Sequence, residues 1–204
     1  MPDQLISWAV SNWVEITGTI FGLAYIFFSI KQHILTWPIG LITSVLYIYV
    51  FFVSKFYADM ALQGYYVWVS IYGWYLWRKG PSSNTDEKTL KVTKTNGKMA
   101  LVLLLVSVVL TVAIYFILSR FTDSPVPVGD AITTAFSIVA TWMLARKKLE
   151  HWLLWVLIDA FSMALYIYKG LYATTILFGV YTIAAIIGYF EWRKTMKEPA
   201  TNLS

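Results

Sequence analysis

The 204-residue chain reads as an all-α integral membrane protein with seven transmembrane helices. Three observations point there. Hydrophobic residues make up 58% of the chain and charged residues 13%, where a soluble domain carries about 25% charge. Seven stretches each supply the roughly 20 mostly apolar residues that a spanning helix needs. The basic residues gather in alternate connections between those stretches, as they do when an odd number of helices crosses a membrane.

A chain of this size has too little interior to bury that much apolar surface. Its aromatic content of 18% excludes disorder. It contains no cysteine, so it has no disulfide framework, thiolate metal site or cysteine nucleophile. The residues call for no cofactor and no nucleic acid; the solvent they call for is the lipid bilayer.

The spans follow in order. Span 1 covers about 12–31. No Lys or Arg precedes it, so no basic signal-peptide region leads in, and the N-terminus is expected to be retained. Spans 2 and 3 cover about 36–54 and 57–77 and complete a first three-helix unit, 1–79. Residues 80–98 run Pro81-Ser82-Ser83-Asn84-Thr85-Asp86-Glu87 and then alternate Lys with Thr, and read as a solvated cytoplasmic loop. Span 4, 99–119, holds no charged residue, Gly or Pro and reads as a linker helix. Spans 5, 6 and 7 cover about 128–145, 149–168 and 171–192. They form a second three-helix unit, 120–194, before a tail at 195–204.

Thirteen of the sixteen basic residues fall on one side of this arrangement. They are Lys31; Arg78, Lys79, Lys88, Lys91, Lys94 and Lys98; Arg146, Lys147 and Lys148; and Arg193, Lys194 and Lys197. Only Lys55, Arg120 and Lys169 fall on the other. Positive charge marks the cytoplasm, so the N-terminus is expected outside and the C-terminus inside a bacterial inner membrane.

The chain repeats itself. Leu46-Tyr47-Ile48-Tyr49 recurs as Leu165-Tyr166-Ile167-Tyr168, an offset of 165 − 46 = 119. Tyr57-Ala58 recurs as Tyr172-Ala173, an offset of 172 − 57 = 115. At that second offset Gly64 matches Gly179, Gly73 matches Gly188 and Trp77 matches Trp192. A gap of four residues separates the two blocks. Two three-helix units joined by a single span share one orientation, a 3+1+3 parallel repeat. Folds of that kind hold their solutes near the bilayer midplane, which is the argument for a transporter.

Ionisable residues within a span are candidates for function, because lipid would not tolerate them. Glu15, Asp59 and Gln63 lie in the outer parts of spans 1 and 3. Asp59 also suits a helix start, and Gln63 suits helix–helix contact. Asp130 and Glu150 sit at span ends and are expected to be solvated. Asp159 lies mid-span in Trp152-x-x-Trp155-x-x-x-Asp159. At about 100° per residue, Trp152, Trp155, Asp159, Ser162 and Tyr166 share roughly 80° of arc. One stripe thus carries two indoles for a flat ring or cation, a carboxylate that accepts hydrogen bonds, a hydroxyl and a phenol. The candidate solute site is Trp152, Trp155, Asp159, Ser162, Tyr166, Gln63 and Glu15.

The sequence resembles the PnuC-type vitamin transporter family over nearly its whole length. The resemblance is carried by Asn12-Trp13 with Glu15 and Gly18, Gly22-Leu23 with Tyr25, Trp37-Pro38, Tyr57, Asp59, Leu62-Gln63, Gly73-Trp74 with Trp77, the tryptophan motif, and Leu171-Tyr172 through Gly188-Tyr189. It implies a seven-helix fold like that of SWEET sugar transporters, a homotrimer, and uptake by facilitated diffusion. It also implies dependence on a cytoplasmic kinase that traps the vitamin by phosphorylation. The absence of a Gly-x-x-x-x-Gly-Lys-[Ser/Thr] run fits transport without ATP. In the nicotinamide riboside branch the motif usually ends in Asn; here it ends in Asp159. An amide donates and accepts hydrogen bonds, whereas a carboxylate only accepts. That departure points to the thiamine, PnuT-like branch, with nicotinamide riboside as the alternative and riboflavin or a deoxynucleoside behind them. A membrane-embedded enzyme would need a nucleophile, metal cluster or acid–base pair in one site, and the sequence offers one deep carboxylate.

Overall fold

The computed structural model describes residues 13–53, 57–79, 90–168 and 172–197. The expectations for the retained N-terminus, the first half of the long loop and the last residues of the tail lie outside them. Seven helices occupy the described residues: α1 (Trp13–Ile30), α2 (Thr36–Val53), α3 (Tyr57–Lys79), α4 (Gly97–Phe121), α5 (Pro127–Ala145), α6 (His151–Tyr168) and α7 (Tyr172–Lys197). Each coincides with an expected span to within a few residues. By length and composition α4, α5, α6 and residues 175–197 of α7 can each cross a membrane, and shorter apolar helices occupy Thr17–Ile30 and Thr36–Tyr49.

The chain divides into two compact units, Met1–Tyr75 and Leu76–Ser204. In the first, α1 packs on α2. In the second, α4 packs on α5, α5 on α6 and α6 on α7.

The repeat is written into the backbone. Helix α1 ends where the N–H of His33 reaches Phe28 O at 2.9 Å and that of Gln32 reaches Ser29 O at 3.1 Å. Helix α5 ends where Lys148 N–H reaches Met143 O at 2.9 Å and Lys147 N–H reaches Leu144 O at 2.9 Å. Each is a Schellman turn, and each places a non-glycine residue in the left-handed region: Gln32 at φ 53 and Lys147 at φ 48. The next helix then starts alike. Thr36 Oγ1 donates to His33 O at 2.8 Å, and His151 Nδ1 lies 2.7 Å from Lys148 O. Every one of these pairs is 115 residues apart, as in 147 − 32 = 115.

That constant offset corrects the expected register. Helices α2 and α6 are both 18 residues long and begin 151 − 36 = 115 apart. Helices α3 and α7 begin 172 − 57 = 115 apart. No four-residue insertion lies between them, so Leu46–Tyr49 corresponds to Phe161–Ala164. Its likeness to Leu165–Tyr168 is a match displaced by about one helical turn.

The repeated glycines carry the packing. A β-carbon on Gly188 of α7 would lie 2.6 Å from Trp152 of α6, and one on Gly73 of α3 would run into Trp37 of α2. Trp37 and Trp152 are themselves 115 apart. Both are buried, each ring seated on a helix that offers no side chain.

The expectation of a wholly solvated loop at 80–98 is also corrected. Val92 is buried. The Thr93 N–H donates to Lys147 O at 3.0 Å, and Thr93 O accepts from Leu149 N at 2.9 Å. Glu150 accepts from both the N–H and the hydroxyl of Thr95, at 2.8 and 2.7 Å. Residues 90–96 therefore form a strap bound to the α5–α6 turn, and Glu150, expected in water, is its anchor. Asn96 then caps α4 by accepting from Met99 N at 2.8 Å.

Candidate functional site

Helix α6 presents the predicted stripe. His151, Trp152, Ile158, Asp159 and Ser162 are its buried residues, while Trp155 and Tyr166 are half-buried. The apolar residues Leu153, Leu157 and Phe161 face outward. This division places the one carboxylate of the helix on the protein-facing side, as lipid demands.

The two tryptophans of the motif have different surroundings. Trp152 is sealed at 2% exposure. Its ring meets Gly188, the imidazole of His151 at 4.5 Å and the indole of Trp192 at 5.7 Å between centroids. His151 meets Trp192 in turn at 4.7 Å. Trp192 also lies 6.3 Å from Trp77, whose Nε1 donates to Ala145 O at 3.1 Å. Trp192 is thus the centre of an aromatic cluster that joins the ends of α3, α5 and α7 to the start of α6, with Trp152 packed against it. Trp155, one turn on, is half-buried.

Asp159 is 3% exposed. Among the described residues its carboxyl has no hydrogen-bond or ion-pair partner. Ser162, one turn further, is 5% exposed and likewise makes no hydrogen bond among them. Tyr166 packs its ring 4.9 Å from Phe178, which continues to Tyr181 at 5.8 Å. Asp159 and Ser162 stand one turn apart on the buried face of α6. The groups present can accept hydrogen bonds, hold a positive charge and stack a flat ring.

The remaining predicted residues belong to the first unit. Gln63 is half-buried on α3. The side chains of Glu15 and Asp59 lie outside the described residues. Sequence reasoning missed His151, Trp192 and Gly188, which fix Trp152. The repeated Gly73/Gly188 and Trp77/Trp192 pairs were the signal that leads to two of them. No group of His, Asp and Glu suited to a metal ion occurs among the described residues.

Comparison with known proteins adds four findings. Residues 12–194 match the family model described as nicotinamide mononucleotide transporter. The chain is 27% identical over 209 residues to "Nicotinamide riboside transporter PnuC" of Escherichia coli (strain K12), covering 92% of this chain and 87% of that one. It is 24% identical to "Riboflavin/roseoflavin transporter RibM" of Streptomyces davaonensis, covering 88% and 84%. The fold matches the crystal structure of the vitamin B3 transporter PnuC with a TM-score of 0.74 at 24% identity, over 96% of this chain and 86% of that chain.

Proposed function

Because the chain belongs to the nicotinamide mononucleotide transporter family, a family of multi-pass membrane transporters, we propose that it carries nicotinamide riboside into the bacterial cell. The observation that carries this reading is the α6 stripe, where the half-buried Trp155 and the unpartnered Asp159 stand one turn apart. Nicotinamide riboside offers a flat pyridinium for the indole and a positive charge for the carboxylate. Ser162 and Tyr166 extend the same face and Trp152 anchors it; Gln63 and Glu15 are the candidate residues of the first unit. The names of the relatives support this solute. Asp159 itself favours a second reading, thiamine, whose amino group and thiazolium suit an acceptor better than they suit an amide.

The proposed arrangement is the 3+1+3 parallel repeat, supported by the common offset of 115 in both halves. The N-terminus is outside and the C-terminus inside, on the strength of the basic residues. Transport is facilitated diffusion by a homotrimer, with a cytoplasmic kinase trapping the product. The deciding experiment is binding and liposome uptake of nicotinamide riboside, thiamine and riboflavin by the purified protein, with binding followed by tryptophan fluorescence. Uptake of the first, halting when the two sides are equal, supports the reading. Accumulation above the outside concentration under a proton or sodium gradient rules out facilitated diffusion.

A further inference from the structure

The docked strap gathers positive charge at one end of the second unit. Thr93 pairs in parallel with Lys148, and side chains along such a pairing alternate between its two faces. On the α5–α6 turn, Lys147 and Leu149 are buried, while Arg146 is exposed and Lys148 half-buried. On the strap, Val92 is buried, while Lys91, Thr93 and Lys94 are exposed. The inward face holds the strap down, and the outward face carries cations from both segments.

Two of those cations are held in place. Lys148 Nζ donates to Thr93 Oγ1 at 3.0 Å, and the Arg146 guanidinium lies 4.7 Å over the Trp142 ring. Lys94, next to Thr93, makes no hydrogen bond or ion pair among the described residues. Glu150 is the one acidic residue of the two segments, and its carboxylate is occupied by Thr95. The opposite end of the unit has the reverse balance among the described residues, with Asp123 and Asp130 against Arg120.

The patch meets the edge of the bilayer. Helix α4 starts at Gly97, just after Lys94, and by its second turn Leu101 and Val102 are exposed apolar residues. Helix α5 ends at Ala145, immediately before Arg146, and the half-buried Trp142 is a residue type that anchors helices at headgroup level. The cations therefore stand where the lipid-facing surface of α4 gives way to water.

We propose that Lys94, Arg146 and Lys148 form a binding site for the headgroup of an anionic phospholipid. Ammonium and guanidinium groups make charge-assisted hydrogen bonds to phosphate oxygens. Three positive charges face one engaged carboxylate, so an anionic headgroup is attracted, whereas a zwitterionic one brings an ammonium of its own that this surface repels. Each Lys or Arg near an anionic bilayer contributes about fivefold in binding. The inference rests on the membrane placement of α4 and α5 and is independent of the solute carried.

The test uses the full-length protein in neutral detergent with three probes: phosphatidylglycerol, phosphatidylcholine and soluble glycerol phosphate. Phosphatidylglycerol should raise the melting temperature and stay bound in native mass spectrometry; the other two should do neither. Lys94→Gln/Arg146→Gln/Lys148→Gln should weaken phosphatidylglycerol about a hundredfold. Lys94→Gln alone breaks no described bond, so it remains a fair test if the triple variant unfolds, and it should weaken the lipid about fivefold. Arg193→Gln/Lys194→Gln/Lys197→Gln removes the same charge from the end of α7, outside the site, and should cost no more than about fivefold. Equal stabilisation by phosphatidylcholine overturns the proposal. Stabilisation by glycerol phosphate that matches the lipid's overturns it in favour of a free phosphate ligand. Equal losses from the two triple variants, or an unchanged Lys94→Gln, overturn it in favour of diffuse surface charge.

Discussion

Trp152 and Gly188 are a matched pair: the indole occupies the space that a β-carbon on residue 188 would need, within 2.6 Å of it. Trp37 and Gly73 repeat the pair in the other unit. A ring held on all sides cannot swing away. Gly188→Ala and Gly73→Ala should each destabilise the protein by about 1–3 kcal/mol, the usual penalty for overpacking. Gly64 is a control, since nothing lies within 4 Å of the β-carbon it lacks. Gly64→Ala should be neutral or stabilise by up to about 1 kcal/mol. Thermal unfolding in detergent separates the three, and a stable Gly188→Ala would contradict the packing described.

Selectivity should turn on Asp159. A hydrogen bond to a charged group contributes roughly 1.5–3 kcal/mol, or about one to two powers of ten in Kd. Asp159→Asn keeps the shape, removes the charge and adds a donor. It should weaken thiamine by about that factor and leave nicotinamide riboside much less affected, or improved. Trp155→Ala should weaken both, because the stacking face is lost for any flat ring. Titration of each variant with both solutes checks this, and equal effects of Asp159→Asn on the two would remove the carboxylate as selector.

Lys147 lies outside the spans, and burial pushes its ammonium down to about 8, even though it sits 4.5 Å over the Trp77 ring. In the unfolded chain a lysine titrates near 10.4. Between those values the unfolded state binds more protons than the folded one, so stability should rise as pH increases from about 8 toward 10.4. Below about 8 the ammonium is charged in both states and the slope from this group vanishes. Lys147→Gln should flatten the rise in a pH series of melting temperatures, and an unchanged series would show that Lys147 does not titrate there.

The strap should be held chiefly by Glu150. Glu150→Ala removes two charge-assisted hydrogen bonds to Thr95, each worth about 1.5–3 kcal/mol when intact. Trypsin should then cut after Lys91 and Lys94 at least about tenfold faster than in the parent, because cleavage follows the open population. An unchanged digestion rate would mean that Val92 and the Thr93 backbone bonds suffice.

The seven helices were legible because long apolar runs leave little room for another reading. The face of α6 was legible too, since 100° per residue puts Asp159 and Ser162 on the side that the structure buries. The register of the repeat was misread at Leu46–Tyr49. Four aromatic and aliphatic residues recur easily in a composition this rich in them, and a one-turn slip keeps them on nearly the same helical face. The strap was hidden because one Val among Lys and Thr looks like a solvated loop; its docking depends on backbone groups that no side chain announces.

The twin Schellman turns bear on how the chain is made. Their hydrogen bonds join residues no more than five apart, so the α1–α2 and α5–α6 hairpins can each close as soon as they leave the ribosome and enter the bilayer. Contacts this local form early and need no distant partner. Helix α4, 25 residues long and uncharged from Met99 to Ser119, can insert between those two events without help from either. Biosynthesis can thus close the first hairpin, insert α4 and then close the second, with neither hairpin waiting on residues not yet translated.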